Sequence, residues 1–167
     1  EGGVSAEVEA IKARLLVAGA APQTVQLKLG ALDLSKSVAV QDGGAQLIGV
    51  ARPLAATSSP EALAAQLQWQ TIAGKGPTAA LSISAQGAHG LRIGLRVEAL
   101  PGHATLRVYS QARPDRVYEI TGQQILQTIA RNLAAGDAED IARTWWTPEL
   151  GADEQTLEIE LPTGVDP

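Results

Sequence analysis

From residue 24 onward the chain alternates between apolar and polar positions. "TVQLKLGAL" (24–32) sets Val25, Leu27 and Leu29 against Gln26 and Lys28, and "LQWQTI" (67–72) puts Leu67 and Trp69 on one side. "AALSISAQ" (79–86) does the same with Leu81 and Ile83. The clearest run is "GLRIGLRVEAL" (90–100), with Leu91, Ile93, Leu95 and Val97 opposite Arg92, Gly94, Arg96 and Glu98. "ATLRVYSQ" (104–111) and "TLEIELP" (156–162) complete the set, and "KSVAVQDGG" (36–44) predicts one more short strand. Successive side chains on a strand point to opposite faces, so period-two runs of this kind predict antiparallel sheets with one buried face. Gly74-Lys75-Gly76-Pro77, Gln86-Gly87 and Leu100-Pro101-Gly102 supply turn chemistry between them. The pattern predicts a mainly β protein, an antiparallel β-sandwich of jelly-roll-like build.

Two stretches carry a helical period instead. In "TGQQILQTIARNLAAGD" Ile125, Ile129 and Leu133 recur at i, i+4 and i+8, with Leu126 beside them. Thr121 and Gln124 have capping-box spacing, and Gly136 stands where a glycine ends a helix. This predicts a helix near 121–135. "SPEALAAQL" predicts a short helix near 60–67, with Ser59 as cap, Pro60 in the first position and Glu61 in the first turn. "SAEVEAIKARLLVAGA" is ambiguous, since Val8, Ile11 and Leu15 fit a helix while Val8, Ala10 and Lys12 do not fit a buried strand face. No repeat or long linker divides the chain. The reading is a single domain over 1–162, least defined over 1–36, with 163–167 as a connector.

"RTWWTPELGADEQTLEIELP" (143–162) poses a specific question, because Trp145 and Trp146 are two of only three Trp in a chain without Phe. On an extended segment they cannot enter the same core. One is expected inside; the other meets the helix at 121–135, a loop or a partner domain. Pro148 should end that strand, because proline cannot donate to a ladder.

Composition narrows the chemistry. The 167 residues are 45% hydrophobic and 19% charged, enough for one domain with its own core, and no apolar run reaches the ~20 residues of a membrane helix. Absence of Cys excludes disulfides and thiolate catalysis. The net charge of −5 is uneven: residues 137–167 hold nine acids and one Arg, and no Lys or Arg follows Arg143. An acidic C-terminal fifth argues against nucleic-acid binding, which needs a basic face. No metal or cofactor is expected, since His89 and His103 lack ligand spacing.

The search for catalytic groups is nearly empty. There is no GxSxG elbow, and "SAQGAHG" (84–90) lacks the lysine and following helix of a phosphate loop. Glu158 and Glu160 share one strand face and read as a solvated pair rather than two carboxylates across a cleft. Asp153-Glu154 lies outside any EF-hand pattern. Arg92 and Arg96 stand about 13 Å apart on one strand face. Arg107 joins them if its strand pairs with theirs. These three arginines are either a solvated face or a docking face for an acidic partner. With Trp145 and Trp146 they form the candidate partner-binding set.

The order of these motifs resembles a known family. "QLIGVARPL" (46–54), the Trp of "LQWQ", "LSISAQGAHGLRIGLRVEALPGHATLRVYS" (81–110) and "WWTPELGADEQTLEIELP" (145–162) follow one another as in the N-terminal region of secreted bacterial serine proteases of the lysyl-endopeptidase, trypsin-like type. The resemblance implies a β-sandwich that precedes a catalytic domain, with the Ser, His and Asp of that domain beyond Pro167. It implies a secreted or periplasmic, non-catalytic pro or accessory domain that aids folding, inhibits or docks, with the serine protease domain as its partner in cis. No trypsin-like self-cleavage is expected within "PTGVDP", which has no basic residue. The competing reading is a free-standing binding module with Trp69, Trp145 or Trp146 as a sugar platform, disfavoured by a total of five aromatic residues. An independent enzyme built on His89 or His103 is the third.

Overall fold

The alternating runs assemble into one mixed seven-stranded sheet and one two-stranded sheet. These are seen in a computed structural model of the chain that describes residues 11–13, 22–31 and 50–167. The expected strand at 36–44, and the first four residues of the 46–54 motif, lie outside the described residues.

In chain order the strands of the large sheet are β1 (Ile11–Ala13), β2 (Thr24–Leu29), β3 (Gln70–Thr71), β4 (Pro77–Ala85), β6 (Thr105–Ser110), β7 (Arg113–Thr121) and β9 (Glu154–Glu160). Their spatial order is β1-β7-β6-β9-β4-β2, with β3 paired to the start of β4. The small sheet pairs β5 (Gly94–Arg96) with β8 (Thr144–Trp146). The mainly β class therefore stands. Neither sheet closes on itself among the described residues, and their pairing alone does not establish a jelly-roll sandwich. The sheet is also not wholly antiparallel: β2 runs parallel to β4, from Thr24↔Ala80 to Leu29↔Ala85. The ambiguous N-terminal stretch contributes a strand at 11–13, paired to β7.

The three α-helices among the described residues are short. α1 (Pro60–Gln66) begins at Ser59, whose hydroxyl accepts from the Ala62 N–H, and carries Pro60 in its first turn as expected. α2 (Gly122–Ala134) has the full capping box: Thr121 Oγ1 accepts from the Gln124 N–H, and Gln124 Oε1 accepts from the Thr121 N–H. It ends at Gly136, with φ +91°. α3 (Glu139–Ala142) is a single turn.

The core lies on one face of the large sheet. Leu81, Leu157 and Val108 stand abreast on β4, β9 and β6, and Leu106 and Ile120 extend the row. Ile125 and Ile129 of α2, Ile93, Val97 and Trp145 cover them. Only half the apolar stripe of α2 is used, because Leu126 and Leu133 remain exposed. The tail 163–167 turns back, and Val165 packs against the core.

The opposite face corrects an expectation. Glu158 is not solvated but completely buried. Directly across from it on β6, Arg107 donates to Glu158 Oε1 at 3.0 Å, to Glu160 at 2.6 Å and to Glu119 at 2.8 Å. Tyr109 donates its hydroxyl to Glu158 Oε2 at 3.2 Å. Burial opposes the charge on Arg107. The hydrogen bonds to Glu160 and Glu119 outweigh that and hold its pKa above the ordinary arginine value. A buried carboxylate is tolerable only with such partners.

Removing Arg107 would leave Glu158 buried beside an emptied site. Arg107→Ala should cost about 3–5 kcal/mol in urea unfolding; a loss below ~1 kcal/mol would contradict this account of the charged face. Trp145→Ala, which opens a core cavity, should cost about 3–5 kcal/mol, against under ~1 kcal/mol for Trp146→Ala. Equal effects would contradict the inside–outside split of the pair.

Candidate interaction surface around Trp146

The register of the small sheet decides the fate of the two tryptophans. Leu95 faces Trp145 and Gly94 faces Trp146, so the neighbouring indoles leave the strand on opposite sides. Trp145 turns inward, 8% exposed, and stacks on Tyr118 with ring centroids 6.4 Å apart and planes inclined by 21°. Trp146 turns outward and is 48% exposed.

Two features seat the outer indole. Gly94 gives it a floor: a Cβ at that position would fall 2.9 Å from Cη2 and 3.0 Å from Cζ3 of the ring. Arg92, on the same side of the strand, places its guanidinium carbon 6.0 Å from the ring centroid, at the outer reach of a cation–π contact. Arg92 is itself held, since its Nε donates to the Thr147 carbonyl at 2.8 Å. Among the described residues no carboxylate pairs with it.

The small sheet is tied to the large one through buried polar groups. Thr147 N–H donates to the Ile93 carbonyl and Val97 N–H to the Arg143 carbonyl, each at 2.9 Å. Thr147 Oγ1 accepts from Ile93 N–H at 2.8 Å and donates to Gln155 Oε1. Gln155 Nε2, from β9, donates to the carbonyls of Pro148 at 2.8 Å and Leu91 at 3.2 Å. Sequence reasoning missed Gln155 and Thr147. The available signal was a polar residue, Gln155, in the apolar line of Leu157, Ile159 and Leu161.

The arginines divide. Arg92 and Arg96 lie on the Trp146 side of the small sheet, as their spacing implied. Arg96 is neutralised locally by Glu98 at 2.6 Å and by Asp140 of α3. The hydrogen bond to Glu98, then the charge of Asp140, raises its pKa above the ordinary value. Arg143 pairs likewise with Glu139 at 2.9 Å. The patch is therefore a mixed-charge rim around an aromatic centre rather than a basic face. Arg107 is not part of it: β6 pairs with β7 and β9, never with β5, and its guanidinium is spent on three glutamates. Ile141 of α3, 68% exposed, adds an apolar residue near Asp140.

His89 and His103 are both exposed and lie in loops. Among the described residues no three His, Asp, Glu or Cys are grouped to hold a metal ion, and no helix is long and apolar enough to cross a membrane. Of Asp153-Glu154, Glu154 is engaged within the fold, accepting from Ser82, Thr156 and the Gln111 N–H, while Asp153 is exposed.

Comparison with known families places the chain. The lysyl endopeptidase N-terminal domain family matches residues 20–167. The chain belongs to that family. No curated protein and no solved structure matches it. The resemblance drawn from the order of the motifs is thus borne out, and the match takes in Trp146, Gly94, Arg92 and the Thr147–Gln155 clamp.

If the Trp146 indole rests on Gly94 in this domain, a larger residue must lift it. Gly94→Val should change the acrylamide quenching constant of the Trp146 emission, taken as the difference from Trp146→Phe. An unchanged constant would contradict the seat.

Proposed function

We propose that this chain is a non-catalytic pro or accessory domain of a secreted, trypsin-like serine protease of lysyl specificity, and that it docks on the catalytic domain in cis through the surface centred on Trp146. The family gives the protease context. The observation that carries the docking face is the exposed Trp146 on Gly94, beside an arginine without an acidic partner among the described residues. Trp and Arg are the residues most enriched at the energetic centres of interfaces. A rigid, half-exposed indole loses little freedom on binding, and its polar rim of Arg96, Glu98 and Asp140 suits the periphery of such a contact. In this reading residues 1–162 act as one unit and 163–167 lead toward the protease. Docking underlies both roles open to the domain, inhibitor and folding aid. Arg107 stays structural.

A carbohydrate platform usually aligns two or three aromatics. Trp146 is the one large aromatic among the exposed hydrophobics of the described residues, and this favours a protein partner.

The test is calorimetric titration of the isolated chain with the separately produced catalytic domain. Trp146→Ala should weaken binding by about 2 kcal/mol or more, some thirtyfold, with unfolding stability retained. Undiminished affinity would refute the surface. Binding of the wild type to oligosaccharides but not to the protease would favour the platform.

A further inference from the structure

The tip between β3 and β4, Gly74-Lys75-Gly76-Pro77, holds an unusual lysine. Its backbone turns at the surface: Lys75 N–H donates to the Ile72 carbonyl at 2.9 Å, and Ala73 and Gly74 are exposed. Its side chain does not follow. Only 20% of it is accessible, and the Nζ is buried 3.6 Å from Glu158 Oε1, with no hydrogen-bond partner among the described residues. The ammonium thus lies under the sheet, against the one carboxylate that is fully buried among the described residues. The following residue is locked too. A Cβ on Gly76 would fall 1.9 Å from the Leu161 carbonyl oxygen, and the Gly76 carbonyl accepts from Thr78 Oγ1 at 2.9 Å.

Exposed loop tips are where endopeptidases cut. A lysine-specific enzyme must in addition draw the ammonium into its own pocket. At this tip Ala73 and Gly74 are exposed, but Gly76 is buried, so the bond after Lys75 and the ammonium that would mark it are both covered. The chain has lysines at 12, 28, 36 and 75, and none in residues 76–167. The stretch that builds β4 to β9 carries no such mark, and Lys75 stands just before it.

We infer that Lys75–Gly76 is a latent cleavage site for a lysine-specific endopeptidase, closed in the folded domain by the burial of Gly76 and the seating of the Lys75 ammonium on Glu158. When the turn opens, water adds to the Lys75 carbonyl carbon and the C–N bond to Gly76 breaks, leaving a Lys75 carboxylate and a Gly76 amine. The cut would sever β1, β2 and β3 from the rest of the sheet. The bond after Lys75 survives beside a lysyl endopeptidase while the turn is closed, and is cut once it opens. The identity of that protease rests on the proposed function, but the closure of the site does not.

The experiment therefore uses a lysine-specific endopeptidase added in trans to the isolated chain, with cut positions read by intact mass. Ala73→Lys places a second lysine on the same turn with its side chain outside. The bond after position 73 should be cut at least ~10-fold faster than Lys75–Gly76. Equal rates would show that the burial of Lys75 and Gly76 does not limit access, and would overturn the inference. Glu158→Gln removes the charge that seats Lys75, and should speed cutting at Lys75–Gly76 at least ~10-fold more than Arg107→Ala, which weakens the same charged face but leaves Glu158 beside Lys75. An unchanged rate would also overturn it. Should that variant not fold, the comparison with Ala73→Lys decides alone. Failure of docking would leave these rates untouched, so the two readings fail separately.

Discussion

The buried amide of Gln155 is the contact on which the geometry of the candidate surface depends. It reaches from β9 to the carbonyls of Leu91 and Pro148 and to the hydroxyl of Thr147, which in turn holds the backbone of Ile93. A buried polar network of this kind is costly when incomplete, and here Gln155 uses both ends of its amide. The small sheet can then occupy one position only. That position puts Trp145 on Tyr118 and leaves Trp146 outside. Packing alone would not specify it, because a hydrophobic strand can slide by two residues and still bury an apolar face.

β9 meets a different demand on its other side. Its core line, Leu157 and Leu161, packs in the ordinary way, while Glu158 is enclosed with Arg107, Tyr109 and Lys75. The large sheet is thus organised about a strand with a buried row on both faces. The same residue that is neutralised by Arg107 also draws Lys75 inward, so the stability of the sheet and the concealment of the lysine share one group.

Much of this was legible in the sequence where the signal is local. The caps of α1 and α2, the end of α2 at Gly136, the opposite fates of Trp145 and Trp146, and the mainly β class follow from residue type and period. What was not legible is non-local. β7 hides behind Pro114, Asp115 and Arg116, which interrupt alternation near its start, where its register with β6 shifts between Val108 and Ser110. The run at 90–100 reads as one long strand, yet only Gly94–Arg96 pair, because their partner β8 is itself three residues long. Nothing in Val25, Leu27 and Leu29 says that β2 lies parallel to β4. Arg107 and Glu158 are 51 residues apart, so alternation sends Glu158 to solvent while pairing buries it.

These features describe a domain with a rigid, outward indole and a covered lysine, in a family named for a lysyl endopeptidase. The central claim is that the indole is where the protease sits. Hydrogen exchange of the backbone amides, with and without the catalytic domain, tests it most directly. The account predicts added protection at residues 92–96 and 144–147 on binding. Protection confined to other strands, with those two segments exchanging as in the free domain, would contradict it.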